Sequence, residues 1–139
     1  MEQIMVDNSR LLDLRLKGYC CSQMIVKMGL EDSGREDNPD LIQAVRGLCD
    51  GLHAGLICGI LSSCACLIAL LAPDDAEVIT AHLTDWFRSE FEADNGGINC
   101  DDILADDPMN KSTKCPIILA ATYEKMMEML EASGYELQG

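Results

Sequence analysis

From Ala54 to Ala72 the chain runs through nineteen residues without one charge, and this run constrains the fold more than any other feature. Its centre reads LHAGLICGILSSCACLIALL over Leu52–Leu71, with Cys58, Cys64 and Cys66 inside it. Small residues (Gly55, Gly59, Ser62, Ser63, Ala65) are spaced through it and let other backbones approach closely; Gly59, directly after Cys58, leaves one side of that sulfur uncovered. The pattern predicts a helix over about residues 52–72, buried on all sides. Nineteen uncharged residues also reach the length of a membrane span. The flanks argue otherwise: Arg46 is the one nearby cation on the N-terminal side, and Asp74, Asp75 and Glu77 follow the other end, so no basic cluster sets an orientation. A helix apolar all round is equally the centre of a soluble bundle, and no membrane insertion is expected.

The segments around this run read as helices. Residues 3–17 carry Ile4, Leu11, Leu12, Leu14 and Leu16, and Gly18 breaks the pattern. Tyr19-Cys20-Cys21-Ser22 opens a short helix with Met24, Ile25 and Met28 apolar. Glu31 to Asp40 is polar loop, closed by Asn38-Pro39, a capping side chain followed by proline at the first helical position. Leu41, Ile42, Val45, Leu48, Cys49 and Leu52 then recur at helical spacing. Pro73 ends the central helix. The next begins with acidic residues that suit its dipole and continues with Ile79, Leu83, Trp86, Phe87 and Phe91 on one stripe. Asn95-Gly96-Gly97 stops it; Asn99 to Leu104 is a short segment before a polar loop holding Asp106, Asp107 and Pro108. Cys115-Pro116 starts the last helix, with Leu119, Tyr123, Met126, Met127 and Leu130 on one face. No alternating strand pattern appears. The expected fold is all-α, a single domain over residues 1–139 with about six helices packed round the central one.

Ten basic residues stand against twenty-four acidic ones, a formal net charge of −14. Nucleic acid and anionic membranes are poor partners for such a surface, which serves solubility first. Residues 1–17 carry scattered charges and no apolar core of the kind a secretory signal needs, so a cytoplasmic address is expected. Eight cysteines in a reducing compartment point to redox or metal work more than to structural disulfides, although some serve as small buried hydrophobes.

Cys21, Cys100 and Cys115 fall at predicted helix starts, where free N–H groups and a partial positive charge favour thiolate over thiol. Cys115 has the strongest local case, with Lys111 and Lys114 before it, and is expected to be the most acidic accessible thiol. Asp101 and Asp102 oppose ionisation of Cys100, and burial opposes that of Cys58. Were the three helix starts to point at Cys58, a four-sulfur site would form on the central helix. No CxxC pair is present, and the spacing 21, 58, 100, 115 matches no zinc ribbon.

These residues resemble a family of redox-active proteins named for its C_GCAxxG_C_C cysteine pattern. The first diagnostic cysteine matches Cys21 in Cys21-Ser22-Gln23. The second is that of a Cys-Gly-Ala-x-x-Gly motif, here Cys58-Gly59-Ile60-Leu61-Ser62-Ser63. The third and fourth match Cys100 in Gly97-Ile98-Asn99-Cys100 and Cys115 in Cys115-Pro116. Gly18-Tyr19 and Phe91 stand in family-like positions, and the likeness covers nearly the whole chain. Ile60 replaces the motif's alanine and Ser63 its glycine, which partly fills the space beside Cys58; the glycine-rich stretch before the motif is reduced to Gly47, Gly51 and Gly55. The resemblance implies thiol redox or electron transfer beside a partner oxidoreductase or a transporter, and no particular substrate.

The remaining candidates have plainer readings. Cys64 and Cys66 project to other faces of the central helix and read as packing residues, as does Cys49 on its apolar stripe. Cys20 could extend the site, but a disulfide to its neighbour Cys21 would be strained. His53 reads as a capping or surface residue and His82 as a boundary residue. The function expected is therefore cysteine-based redox work through Cys21, Cys58, Cys100 and Cys115, either as dithiol/disulfide or as ligands of zinc, another metal or an iron–sulfur cluster. The alternative is a non-catalytic acidic helical interaction module whose sulfurs fill the core.

Overall fold

Asn38 accepts the Leu41 N–H at 3.1 Å through its side chain, and Pro39 occupies the first turn, so the start read from Asn38-Pro39 is where helix α3 begins. The computed structural model describes residues 8–107 and 109–135; Ile4 and Pro108, named above, lie outside the described residues. Helices run in the order α1 (Asn8–Leu16), α2 (Cys21–Asp32), α3 (Pro39–Ala44), α4 (Gly59–Leu71), α5 (Ala76–Asn95), α6 (Cys100–Leu104), α7 (Asn110–Thr113) and α8 (Cys115–Ala132). No strand occurs among the described residues, only an isolated antiparallel bridge between Ile57 and Asn99. The fold is all-α. No described helix is long and apolar enough to cross a membrane.

Helix α4 is the central element and packs against α2, α5 and α8. Ile60, Cys64, Leu67 and Ile68 meet Ile25 and Met28 from α2, Leu83 and Phe87 from α5, and Leu119, Tyr123 and Met126 from α8, all of them buried. The stripes expected on α5 and α8 face this core, with Trp86 and Phe91 partly covered at its edge. A smaller cluster joins Val26 and Leu30 to Ile42 and Val45. Two glycines allow the α2–α4 crossing: a methyl group at Gly29 would collide with the Leu67 side chain, and one at Gly59 would lie 2.7 Å from Ser22 Oγ and 2.8 Å from the Leu48 carbonyl.

The central helix is shorter than expected, and it is not buried on all sides. It starts at Gly59, with Cys58 as its N-terminal flank, because residues 50–57 direct their backbone bonds elsewhere. Asp50, Gly51, Leu52 and His53 all have positive φ and form a left-handed turn, closed by Leu56 N–H donating to the Gly51 carbonyl at 2.9 Å. The Leu56 carbonyl in turn accepts the Cys100 N–H at 2.6 Å. These groups are satisfied by α6 rather than by a longer α4. Along α4 itself, Cys66 and Ala69 are exposed, which corrects the reading of Cys66 as a packing residue; Cys64 is fully buried and is one. Helix α3 likewise stops at Ala44 and tightens into a 3-10 turn over Val45–Leu48 rather than continuing to Leu52.

A polar network locks α1 and α8 onto the end of α2. Arg10 binds both carboxylate oxygens of Asp32 at 3.1 Å, and Tyr123 Oη donates to Asp32 Oδ2 at 2.6 Å. Burial and the Asp32 carboxylate push the Tyr123 hydroxyl well above its ordinary pKa, so it is a donor throughout the physiological range. Tyr123→Phe removes a hydrogen bond to a charged acceptor and is expected to cost about 1.5 kcal/mol in urea denaturation. An unchanged midpoint would mean that Arg10 satisfies Asp32 alone.

Candidate functional site

The N-terminal ends of α2, α4, α6 and α8 converge on one cavity of about 690 Å3. Six cysteines line it: Cys20, Cys21, Cys49, Cys58, Cys100 and Cys115. Cys20 and Cys49 are joined by a disulfide, with Cα atoms 6.3 Å apart. That pair corrects the reading of Cys49 as a mere packing residue and gives Cys20 a partner other than Cys21. The helical spacing of Cys49 hid it, because Cys49 follows the 3-10 turn Val45–Leu48 rather than lying on a helical stripe.

Each sulfur is positioned by identifiable local contacts. The Cys20 N–H donates to Gln23 Oε1 at 3.2 Å, and Gln23 Nε2 donates to the Ile42 carbonyl at 3.1 Å, tying the start of α2 to α3. Ser22 Oγ donates to the Gly59 carbonyl at 3.0 Å, which draws the starts of α2 and α4 together. An added methyl at Gly59 would stand 3.2 Å from Cys21 Sγ, so the Cys21 thiol lies against the first residue of α4, next to Cys58. Cys58, 5 % exposed, receives the backbone N–H groups of Ile60 and Leu61. The Cys100 backbone is held by the Leu56 carbonyl, and Asn99 is fastened by its N–H donating to Asp102 Oδ2 at 3.1 Å. At the mouth Lys111 Nζ pairs with Asp50 Oδ1 at 2.8 Å. Asp50 has no sequence signature; only the left-handed turn brings it to the site.

Burial dominates the acid–base behaviour of these thiols. It pushes Cys58 up to about 12, against the relief supplied by the Ile60 and Leu61 N–H groups. Burial pushes Cys115 up to about 11, and the nearby Cys21 and Cys100 add to the rise, while Lys111 and Arg15 oppose it. Cys21 is raised by burial and eased by hydrogen bonding at Ser22; Cys100 is raised by burial and by Asp50. A charge on one of these thiols also opposes ionisation of its neighbours, which adds to the effect of burial.

Cys115 is not the acidic thiol its helix start suggests: burial raises it, and two local features withhold the expected help. Lys114 turns away, donating to Asn95 Oδ1 at 3.2 Å and to the Ile103 carbonyl at 3.3 Å. Helix α7 also runs almost directly into α8, so carbonyls of the preceding turn take up N–H groups there: Lys114 N–H bonds the Asn110 carbonyl, and Ile118 N–H the Lys114 carbonyl. In the reduced protein, alkylation of Cys115 should accelerate tenfold per pH unit from pH 7 to pH 10, with its break at about 11. A plateau already below the ordinary thiol value of about 8.5 would restore the helix-start argument.

The four thiols Cys21, Cys58, Cys100 and Cys115 have the donor chemistry for zinc or an iron–sulfur cluster. As placed, however, no three His, Cys, Asp or Glu side chains among the described residues form a group able to hold a metal ion. His53 is exposed, its Nε2 3.1 Å from the Arg46 carbonyl, and His82 is exposed on α5, so neither histidine joins the site.

A family model described as "Putative redox-active protein (C_GCAxxG_C_C)" matches residues 19–129, a span that holds every sulfur of the cavity. No curated protein and no solved structure matches the chain.

Proposed function

This chain belongs to the C_GCAxxG_C_C family of redox-active proteins, and on that premise we propose that it exchanges electron pairs between thiols and disulfides through the Cys20–Cys49 bond. The observation that carries this reading is that a disulfide and four thiols line one cavity. Cys20 is part-exposed and Cys49 is 2 % exposed, so an incoming thiolate attacks Cys20 Sγ and Cys49 departs. A second thiol then releases Cys20, leaving both cysteines reduced and the donor oxidised. Cys21, Cys58, Cys100 and Cys115 form the adjoining reservoir, which supplies protons to the departing sulfur and stores further electron pairs as disulfides of its own. The protein works in the cytoplasm, where a disulfide is transient and catalytic rather than structural. A partner oxidoreductase completes the cycle by removing or supplying the electron pair.

The test is a redox titration, with the protein equilibrated in dithiol buffers, alkylated, and each cysteine located by mass spectrometry. Cys20–Cys49 should be half reduced between about −180 and −300 mV, the range of working thiol redox proteins. A midpoint below about −300 mV marks a structural staple. It would leave the acidic interaction module as the better reading. Absorbance near 400 nm after anaerobic purification would instead assign Cys21, Cys58, Cys100 and Cys115 to an iron–sulfur cluster.

A further inference from the structure

The composition of the cavity wall specifies what it can admit. Cys20 is the part-exposed sulfur of the disulfide while Cys49 and Cys58 are buried within, and about 690 Å3 is the volume of a small-molecule site. Apart from the sulfurs, the wall is mainly aliphatic: Leu11, Met24, Ile60 and Leu119 lie inside, and Leu12 and Ile117 are exposed at the rim. Exposed leucine and isoleucine beside an opening give an apolar chain a surface to follow inward.

Charge at the same opening has the opposite sign to the rest of the molecule. The chain as a whole carries −14, yet Arg15, Lys111 and Asp50 are the charged residues of the lining. Asp50 is already bonded to Lys111. Arg15 donates to the neutral Ser112 Oγ at 3.3 Å, and among the described residues no carboxylate pairs with it. One guanidinium, the side chain best shaped to grip a carboxylate, is thus left facing a thiol-lined apolar cavity.

Resting on the exchange reading above, the geometry points to a small, mainly apolar dithiol with one carboxylate, and its disulfide form, as the substrate of this cavity. The carboxylate sits on Arg15 and the carbon chain lies along Leu12 and Ile117, which brings the dithiol to Cys20. One substrate thiolate attacks Cys20 Sγ; the Cys20–Cys49 bond breaks, and Cys49 leaves and takes up a proton. The second substrate thiol loses its proton and closes on the first substrate sulfur, and Cys20 leaves as the thiol. The substrate becomes a cyclic disulfide, and two electrons and two protons pass to Cys20 and Cys49. Run in reverse, the same steps reduce the disulfide.

Dihydrolipoate, its neutral amide and dithiothreitol separate the contributions of chain and charge. Rates of reduction of Cys20–Cys49 are measured on the oxidised full-length protein at equal thiolate concentration. Dihydrolipoate should saturate, react at least tenfold faster than dithiothreitol, and react about fivefold faster than the amide. Arg15→Gln should bring the acid-to-amide ratio to about one, and Arg15→Lys should preserve most of it, with circular dichroism confirming that both variants fold. Equal, unsaturating rates for all three reagents would overturn this inference and leave disulfide exchange standing. So would an acid-to-amide ratio indifferent to Arg15→Gln, or reduction by a thioredoxin-type protein alone. A disulfide that resists every one of these reductants would overturn the exchange reading itself.

Discussion

Reducing Cys20–Cys49 should lower the stability of the folded chain by about 3–4 kcal/mol. The two cysteines are 29 residues apart, and a cross-link closing a loop of that size removes about that much entropy, as free energy, from the unfolded chain. For a domain of this length the melting temperature should fall by about 10 °C. The oxidised protein, the reduced protein and the double variant Cys20→Ala/Cys49→Ala are compared by urea denaturation, and the last two should coincide. The effect has a structural signature besides the melting temperature. Cys49 leads straight into Asp50, Leu52 and His53, each with positive φ, a conformation costing about 1 kcal/mol or more for a residue with a side chain. Freed of the bond, that turn relaxes, and the Cys100 N–H should lose hydrogen-exchange protection because its acceptor is the Leu56 carbonyl. A loss under about 1 kcal/mol would show that the Asp50–Lys111 pair and the Leu56–Cys100 bond hold the loop unaided. The same coupling bears on chemistry. Whatever stability the bond adds also makes it harder to reduce, by about 30 mV for each 1.4 kcal/mol.

Replacing Gly59 by valine should cost about 3 kcal/mol and alter the thiol site. Even a single methyl there would lie 2.8 Å from the Leu48 carbonyl, a backbone atom that cannot swing aside, and 2.7 Å from Ser22 Oγ. Overpacking of this kind usually costs about 1–3 kcal/mol, and a branched side chain between two helix starts belongs at the upper end. The starts of α2 and α4 must separate, which breaks the buried bond from Ser22 Oγ to the Gly59 carbonyl and moves Cys21 away from Cys58. Two measurements check it: the denaturation midpoint, and the alkylation rate of Cys58, which should rise as the protecting wall opens. Gly47→Ala is the control, since nothing lies within 4 Å of the methyl it would add. Unchanged stability for Gly59→Val would mean that the α2–α4 crossing is looser than its contacts imply.

Helix identity was legible in the sequence wherever local chemistry decides it. Asn38-Pro39 marks the start of α3, Gly96 stops α5 in a left-handed conformation, and the stripes Ile79-Leu83-Phe87 and Leu119-Tyr123-Met126-Leu130 face the core. Periodicity carries that information because a helix face repeats every 3.6 residues whatever it packs against. The four cysteines Cys21, Cys58, Cys100 and Cys115 were also legible, and they line one cavity. The readings that differ from the structure are those that turn on how a distant segment engages the backbone or side chain in question. The uncharged run from Ala54 reads as helical throughout, yet α4 begins only at Gly59: Asp50–His53 turn left-handed before it, the Leu56 carbonyl accepts the Cys100 N–H of α6, and Ile57 bridges to Asn99. Cys49 reads as a packing residue on a helical stripe, yet it follows the 3-10 turn Val45–Leu48 and is bonded to Cys20. Cys115 looked acidic from Lys111 and Lys114, but those amines are engaged by Asp50, Asn95 and the Ile103 carbonyl, and burial governs the thiol. Local sequence thus carries the all-α class and the central apolar element, since propensity and apolar spacing act over a few residues. Only the tertiary structure decided where the central helix begins, which cysteines bond and how acidic the others are, because each depends on the field and hydrogen bonds of segments brought together by folding.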